Sequence, residues 1–305
     1  MRKLLLNSTA IATVAALTAS VAVADVSISG DTEWTYNSRS SNVTAKDGTT
    51  FGSASEIKFS FTNKTDSGLS IGYTVELQAD DGDTEIDESS LSIAGGFGKV
   101  VLGGNDGVGD NYGIGAQDNI AEEATPTVAS ASIGTNSDIA LPSGDSNKVA
   151  YHLPAMGGFT AGASFTDSGE VGSTDTTEFG MRYAIDAGAA AITIGAATAT
   201  QEATTTDTDS QNLGIKIVSG AMTFIAAQSQ KEAVDEDIST TGASVSYKMA
   251  NGMVLGAYTM NSEDDLDAGE EYSKSGVELQ YTIAAGLKAI INVDDYEYKA
   301  ATSPD

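Results

Sequence analysis

The chain has 305 residues, no cysteine, one histidine, four prolines and 33 glycines, and its 43 acidic against 15 basic side chains give a formal net charge of -28. Such a charge repels phosphate and excludes a nucleic-acid binder, while the lack of cysteine excludes disulfide frameworks, thiolate metal sites and cysteine nucleophiles. With His152 as the only histidine, a multi-histidine metal site is excluded and a Ser-His-Asp triad has no second place to form.

Arg2 and Lys3 precede an alanine-rich apolar stretch from Leu4 to Val23, which closes on Ala22-Val23-Ala24. A basic start, an apolar run and a small-x-small end predict a secretory leader over residues 1–24, removed on export. A membrane anchor is the competing reading, opposed by Asn7, Ser8, Thr9, Thr13, Thr18 and Ser20 within the run. Beyond residue 24 no window approaches the roughly 20 apolar residues of a transmembrane helix. An exported chain can still cross a membrane as a closed barrel of strands.

From Asp25 the sequence is written in period two. Val26, Ile28, Thr32, Trp34 and Tyr36 alternate with Ser27, Ser29, Asp31, Glu33 and Thr35. Ile57, Phe59 and Phe61 follow, then Leu69, Ile71, Tyr73, Val75 and Leu77, each separated by polar neighbours or glycine. Further strands are expected near residues 88–94, 99–104, 148–153, 159–165, 178–185, 190–198, 210–218, 221–228, 239–249, 253–260, 277–283 and 287–296, fifteen in all. Alternation gives each strand one apolar and one wet face, but not the solvent on the apolar side: a sandwich hides it in a core, an outer-membrane barrel turns it to lipid.

The connections discriminate. Short turns such as Thr65-Asp66-Ser67-Gly68, Asp186-Ala187-Gly188 and Ala250-Asn251-Gly252 alternate strictly with long hydrophilic loops near 38–52, 79–87, 104–147, 166–177, 199–209, 229–238 and 261–273. All short turns therefore lie at one end of the strands and all long loops at the other, as in an antiparallel up-and-down transmembrane β-barrel; a Greek-key sandwich would mix loop lengths at both ends. Most acids sit in the long loops, in runs such as Asp80-Asp81-Gly82-Asp83 and Asp235-Glu236-Asp237. They read first as a solvated outer surface, and second as a place for loosely bound Ca2+ bridging to anionic lipopolysaccharide. The stretch from Asp81 lacks the closing glutamate of a calcium loop, since Ser92 stands there. No cofactor is otherwise expected.

Residues 104–147 form by far the longest connection, and a structureless loop of that length is expected to be mobile or functional. It carries Asp106, Asp110, Asp118, Glu122 and Glu123, with bends permitted by Gly107, Gly109, Gly113 and Gly115. Folded into a barrel, these acids would form an electrostatic filter. By parity with the apolar faces, Lys58, Arg182, Lys216, Lys248 and Lys288 point inward, as they must, because a base facing the bilayer midplane costs about 2–4 kcal/mol. Acids facing bases across a lumen order water and favour small polar solutes, and the net charge favours cations. His152 reads as a hydrogen-bonded strand residue with no catalytic partner, and no enzyme is expected.

Thr65-Asp66-Ser67-Gly68-Leu69, Leu91 to Gly103 leading into the long acidic loop, and Tyr151-His152-Leu153-Pro154 followed by Gly157-Gly158-Phe159 resemble segments of the general diffusion porins of Gram-negative, especially alphaproteobacterial, outer membranes. The resemblance implies a sixteen-stranded barrel, usually a homotrimer among outer-membrane lipids and lipopolysaccharide, passing small hydrophilic solutes and ions by passive diffusion. It also implies that the third external loop narrows each pore against a basic wall, with Asp106, Asp110, Asp118, Glu122 and Glu123 on the loop side and Lys58 on the wall side. This chain has fewer bases on its second strand than that pattern. Its end, Ala301-Thr302-Ser303-Pro304-Asp305, is loop-like where the family ends on an aromatic strand, so residues 25–305 are expected to lack the last strand of the barrel domain. The alternative reading is a secreted or surface-attached acidic β-rich adhesin or structural protein, which needs neither alternating loop lengths nor inward bases.

Overall fold

A computed structural model of the chain describes residues 2–8, 25–40, 48–80, 83–120, 144–167, 174–202, 206–266 and 270–299. Its strands are β1 (Arg2–Ser8), β2 (Asp25–Arg39), β3 (Gly48–Lys64), β4 (Ser70–Asp80), β5 (Asp83–Gly95), β6 (Gly98–Gly104), β7 (Asn147–His152) and β8 (Phe159–Thr166). The second half of the ring comprises β9 (Asp175–Asp186), β10 (Ala191–Glu202), β11 (Thr208–Ser219), β12 (Met222–Ala233), β13 (Glu236–Lys248), β14 (Val254–Asp264), β15 (Glu270–Ala284) and β16 (Leu287–Lys299). Each pairs antiparallel with its sequence neighbours, and β1 closes the ring between β16 and β2. Among the described residues no helix is long and apolar enough to cross a membrane. A twelve-residue strand rises about 40 Å along its axis, and the tilt of barrel strands reduces that to about 30 Å, enough for the apolar band of an outer-membrane barrel.

All fifteen expected strands are present, with two additions. First, Arg2–Ser8, within the expected leader, pairs as a strand. Fifteen up-and-down strands leave β2 and β16 pointing the same way with an unpaired edge each, and β1, antiparallel to both, satisfies both rows of backbone groups. Second, several long loops are largely strand. β4 and β5 leave only Asp81 and Gly82 between them, and β12 and β13 leave only Val234 and Asp235. These outer strand ends are polar on both faces, so they carry no period-two apolar signal.

The short turns close as expected. Gly68 and Gly252 adopt φ of 88° and 86°, left-handed conformations that a side chain resists.

The barrel is inside-out. On β9, Phe179, Met181 and Tyr183 lie on the exposed face, Phe179 at 58% exposure, while Thr176, Glu178 and Gly180 are buried on the other. On β12, Met222 and Phe224 face out and Ile225, Ala227 and Ser229 are covered. An apolar outer band suits lipid, and what buries the inner face is chain folded into the lumen. The compact cores are accordingly small: Val108 and Tyr112 pack on Val101 and Ala150, and Ala116 with Ile120 packs on Tyr258 and Met260.

Candidate functional site

The lumen is shaped by the segment after β6. Gly103, next to last in β6, adopts φ 116°, and a Cβ there would run into the Ser89 carbonyl oxygen, so only glycine fits. The segment then forms the single-turn helix α1 (Val108–Tyr112) and a 3-10 turn over Ala116–Asn119. The sequence shows why: alternating glycines prevent a long helix, while Val108, Tyr112, Ile114 and Ala116 give the segment one apolar underside, buried against the wall.

Successive wall strands clasp it by polar contacts. Ser164 Oγ on β8 accepts from the Val108 amide at 3.1 Å, and Glu178 Oε2 on β9 accepts from the Gly109 amide at 3.0 Å and from Ser164 Oγ at 2.8 Å. Arg182 Nε donates to the Tyr112 carbonyl at 3.0 Å, and its Nη2 donates to the Gly113 carbonyl. Asn212 on β11 brackets Ile114, accepting from its amide and donating to its carbonyl, both at 3.1 Å. Asn119 donates to the Thr223 carbonyl on β12 at 3.0 Å and accepts from Ser246 Oγ on β13 at 3.0 Å. Lys148, 4% exposed, ties the ends of the loop together by donating from Nζ to the Asn105 and Gly144 carbonyls. His152 Nδ1 lies 3.0 Å from the Tyr112 hydroxyl, so the expected hydrogen-bonded strand residue is a loop contact.

Asp106, Asp110 and Asp118 lie on this segment with exposed side chains. Loss of water against the wall, with the Glu178 and Asp106 charges behind it, pushes the Asp110 carboxyl up to about 6. Asp106 is raised by the same desolvation and by Asp145, against the charges of Lys148 and Lys58. Asp118 is also raised by desolvation, which outweighs a Gly115 backbone hydrogen bond and the Arg182 and Lys216 charges. Glu122 and Glu123 lie outside the described residues. At the root of the loop, Glu88, Asp106 and Asp145 bring carboxylate oxygens within 4.8 Å of one another, an oxygen-only set of the kind hard cations prefer. A β-bulge makes this meeting: Val75 pairs with Ser89 and Leu77 with Ile86, so Asp87 and Glu88 both stand against Glu76.

The expected bases do not form one wall. Lys58 is ion-paired with Glu76, with Glu56 at 3.9 Å, because its cross-strand partner is an acid. Asp31 is the cross-strand partner of Glu56, and Glu33 follows on the same face of β2, so the surroundings of the paired Lys58 are acidic. Arg182 is spent on loop carbonyls, Lys216 acts on Asp118 through its charge, and Lys248 sits exposed beside the short turn that ends at Gly252. Sequence reasoning missed Lys148, Glu178, Ser164, Asn212 and Asn119. Parity placed the strand residues inward, but nothing in one sequence marks which loop amide each would meet.

A family model for Gram-negative porins matches residues 10–301. Among solved structures, a porin refined at 1.8 Å is 18% identical, with TM-score 0.60 over 89% of this chain and 100% of its own. The anion-selective porin of Comamonas acidovorans is 17% identical, with TM-score 0.65 over 91% and 90% of the two chains. A loop-deletion mutant of OmpT, an outer-membrane protein of Vibrio cholerae, is 14% identical, with TM-score 0.59 over 97% and 98%. Among curated proteins no sequence matches. These likenesses agree with the barrel fold, and the family match spans nearly the whole sequence: the chain belongs to the Gram-negative porin family.

Proposed function

We propose that the protein is a cation-preferring channel, in which a lumen narrowed by the 104–147 loop passes small hydrophilic solutes and ions. As a Gram-negative porin it belongs to the bacterial outer membrane and to a family of passive diffusion channels rather than enzymes. The observation that carries the cation preference is the acid on both sides of the passage. Asp106, Asp110 and Asp118 line the loop, while Asp31, Glu33, Glu56 and Glu76 surround the ion-paired Lys58 on the wall. A narrow low-dielectric passage with one sign of fixed charge concentrates counter-ions and excludes co-ions. Fold does not decide the sign, since a structurally similar porin is named as anion-selective.

A homotrimer embedded among lipids and lipopolysaccharide completes the reading, with external carboxylates gathering Ca2+ loosely between protein and lipid phosphates. The purified full-length protein, added to a planar bilayer, tests it: stepwise conductance is expected, whereas solubility without detergent and no conductance would favour the adhesin.

A further inference from the structure

We propose that four inward glycines, Gly162, Gly180, Gly195 and Gly214, form a track that sets how deep the loop lies in the wall and thereby how wide the passage is. Gly162 pairs with Gly180 across β8 and β9, and Gly195 pairs with Gly214 across β10 and β11. The second pair is displaced by two residues along the strands, because Gly195 stands against Arg182 rather than Gly180. The result is a diagonal lane running under residues 108–114.

Glycine within a strand weakens it, so four on neighbouring strands need a reason. The backbone is not the reason, since none of the four has a positive φ. The reason is the loop. A Cβ on Gly180 would stand 2.7 Å from Tyr112 Cβ and 2.8 Å from the Val108 carbonyl oxygen. On Gly195 it would meet the Tyr112 carbonyl oxygen at 2.6 Å and Ile114 Cγ1 at 2.8 Å. On Gly214 it would meet the Ile114 carbonyl oxygen at 2.5 Å and Ile114 Cβ at 2.6 Å, while on Gly162 it would meet the Tyr151 carbonyl oxygen of β7 at 2.8 Å and the Tyr112 ring of the loop at 3.0 Å. At Gly180, Gly195 and Gly214 the encounters involve loop backbone or Cβ atoms, which cannot rotate away. Alanine in the lane therefore lifts the segment off the wall toward the axis. The clasps resist sideways escape: Arg182 and Asn212 hold the carbonyls of Tyr112, Gly113 and Ile114 over the same lane. The glycines are positioning residues, acting on permeation through the loop they seat.

This inference rests on the channel reading. Its test measures single-channel conductance of the full chain as wild type, G195A, G214A and the double variant, each also with residues 108–119 deleted, and G52A as control. Gly52 is a strand glycine whose added Cβ would approach only the Thr35 hydroxyl, at 2.9 Å, and no loop atom. The expected result is a conductance reduced about 1.5-fold in each single variant and further in the double, with G52A unchanged. In the loop-deleted background alanine and glycine are expected to conduct alike. If a lane variant fails to assemble, assembly restored by the loop deletion supports the proposal, and failure in both backgrounds overturns it. Unchanged conductance in the lane variants of a conducting protein also overturns it, whereas a wild type that forms no channels defeats the channel reading instead.

Discussion

Glu178 Oε2 lies 3.0 Å from the Gly109 amide, so a strand carboxylate holds the first turn of the only α-helix among the described residues. Glu178 is 1% exposed and the same oxygen accepts from Ser164, which in turn accepts from Val108. One buried acid thus organises the start of the loop's path. E178A leaves the Gly109 amide without its acceptor and is expected to destabilise the seated loop by about 1–3 kcal/mol. Limited proteolysis of the detergent-solubilised protein should then cleave within residues 104–120 in the variant before the wild type, and uniform protection in both would contradict the clasp.

Asp110 gives the loop a pH dependence of known sign. Its carboxyl is raised from 3.8 to about 6, so the seated loop binds the proton more tightly than the free chain does. The group's stabilising contribution is complete below pH 3.8 and is lost as pH rises through 6. Its effect on permeation runs the other way, since protonation removes a negative charge from the passage. Cation preference is therefore expected to weaken as pH falls from 7.5 to 5, with a midpoint near 6, and D110N should flatten that step. A step of equal size in D110N would assign it to other carboxyls.

The Lys58–Glu76 pair offers a test with opposite outcomes from its two partners. Glu76 is almost fully covered while Lys58 is partly open to the lumen. E76Q frees a positive charge and should lower the cation-to-anion permeability ratio, whereas K58Q removes the base among Asp31, Glu56 and Glu76 and should raise it, each about 1.5-fold. Equal ratios in both variants would show that this pair does not face the permeating ions.

Phe179 separates the lipid-facing barrel from a soluble β protein. Arginine at an outward mid-strand position costs about 2–4 kcal/mol in a bilayer and much less on a wet surface. F179R should impair folding into lipid vesicles, read as loss of the heat-modifiable band on gels, while T193K, on the inward-facing parity of β10, should be tolerated. Equal tolerance of both would refute a lipid-facing β9.

Much of this architecture was legible in the residues. Val277, Leu279, Tyr281 and Ile283 mark their strand by period two alone, and the short turns at Gly68 and Gly252 mark one end of the ring. Strand ends such as Gln230 to Ala233 and Glu236 to Ile238 are not legible, because charged residues there flank both faces and the hydrogen-bonded ladder continues without an apolar stripe. At the site, Asp106, Asp110 and Asp118 are legible as acids of the longest connection, and the structure carries them on the segment after β6. On the wall, parity assigns Lys58 a direction without its neighbour: Glu76 faces it only through the register of β3 on β4, which no single sequence displays. Arg182 was likewise assigned to the lumen surface, and its bonds to Tyr112 and Gly113 depend on a loop path set by the glycine lane.

The central claim is a cation-preferring passage, and the reversal potential of the full-length protein in a planar bilayer under a tenfold KCl gradient at pH 7.5 tests it most directly. The expected result is stepwise conductance with a reversal potential displaced toward the potassium equilibrium potential. A displacement toward the chloride equilibrium potential would contradict the account.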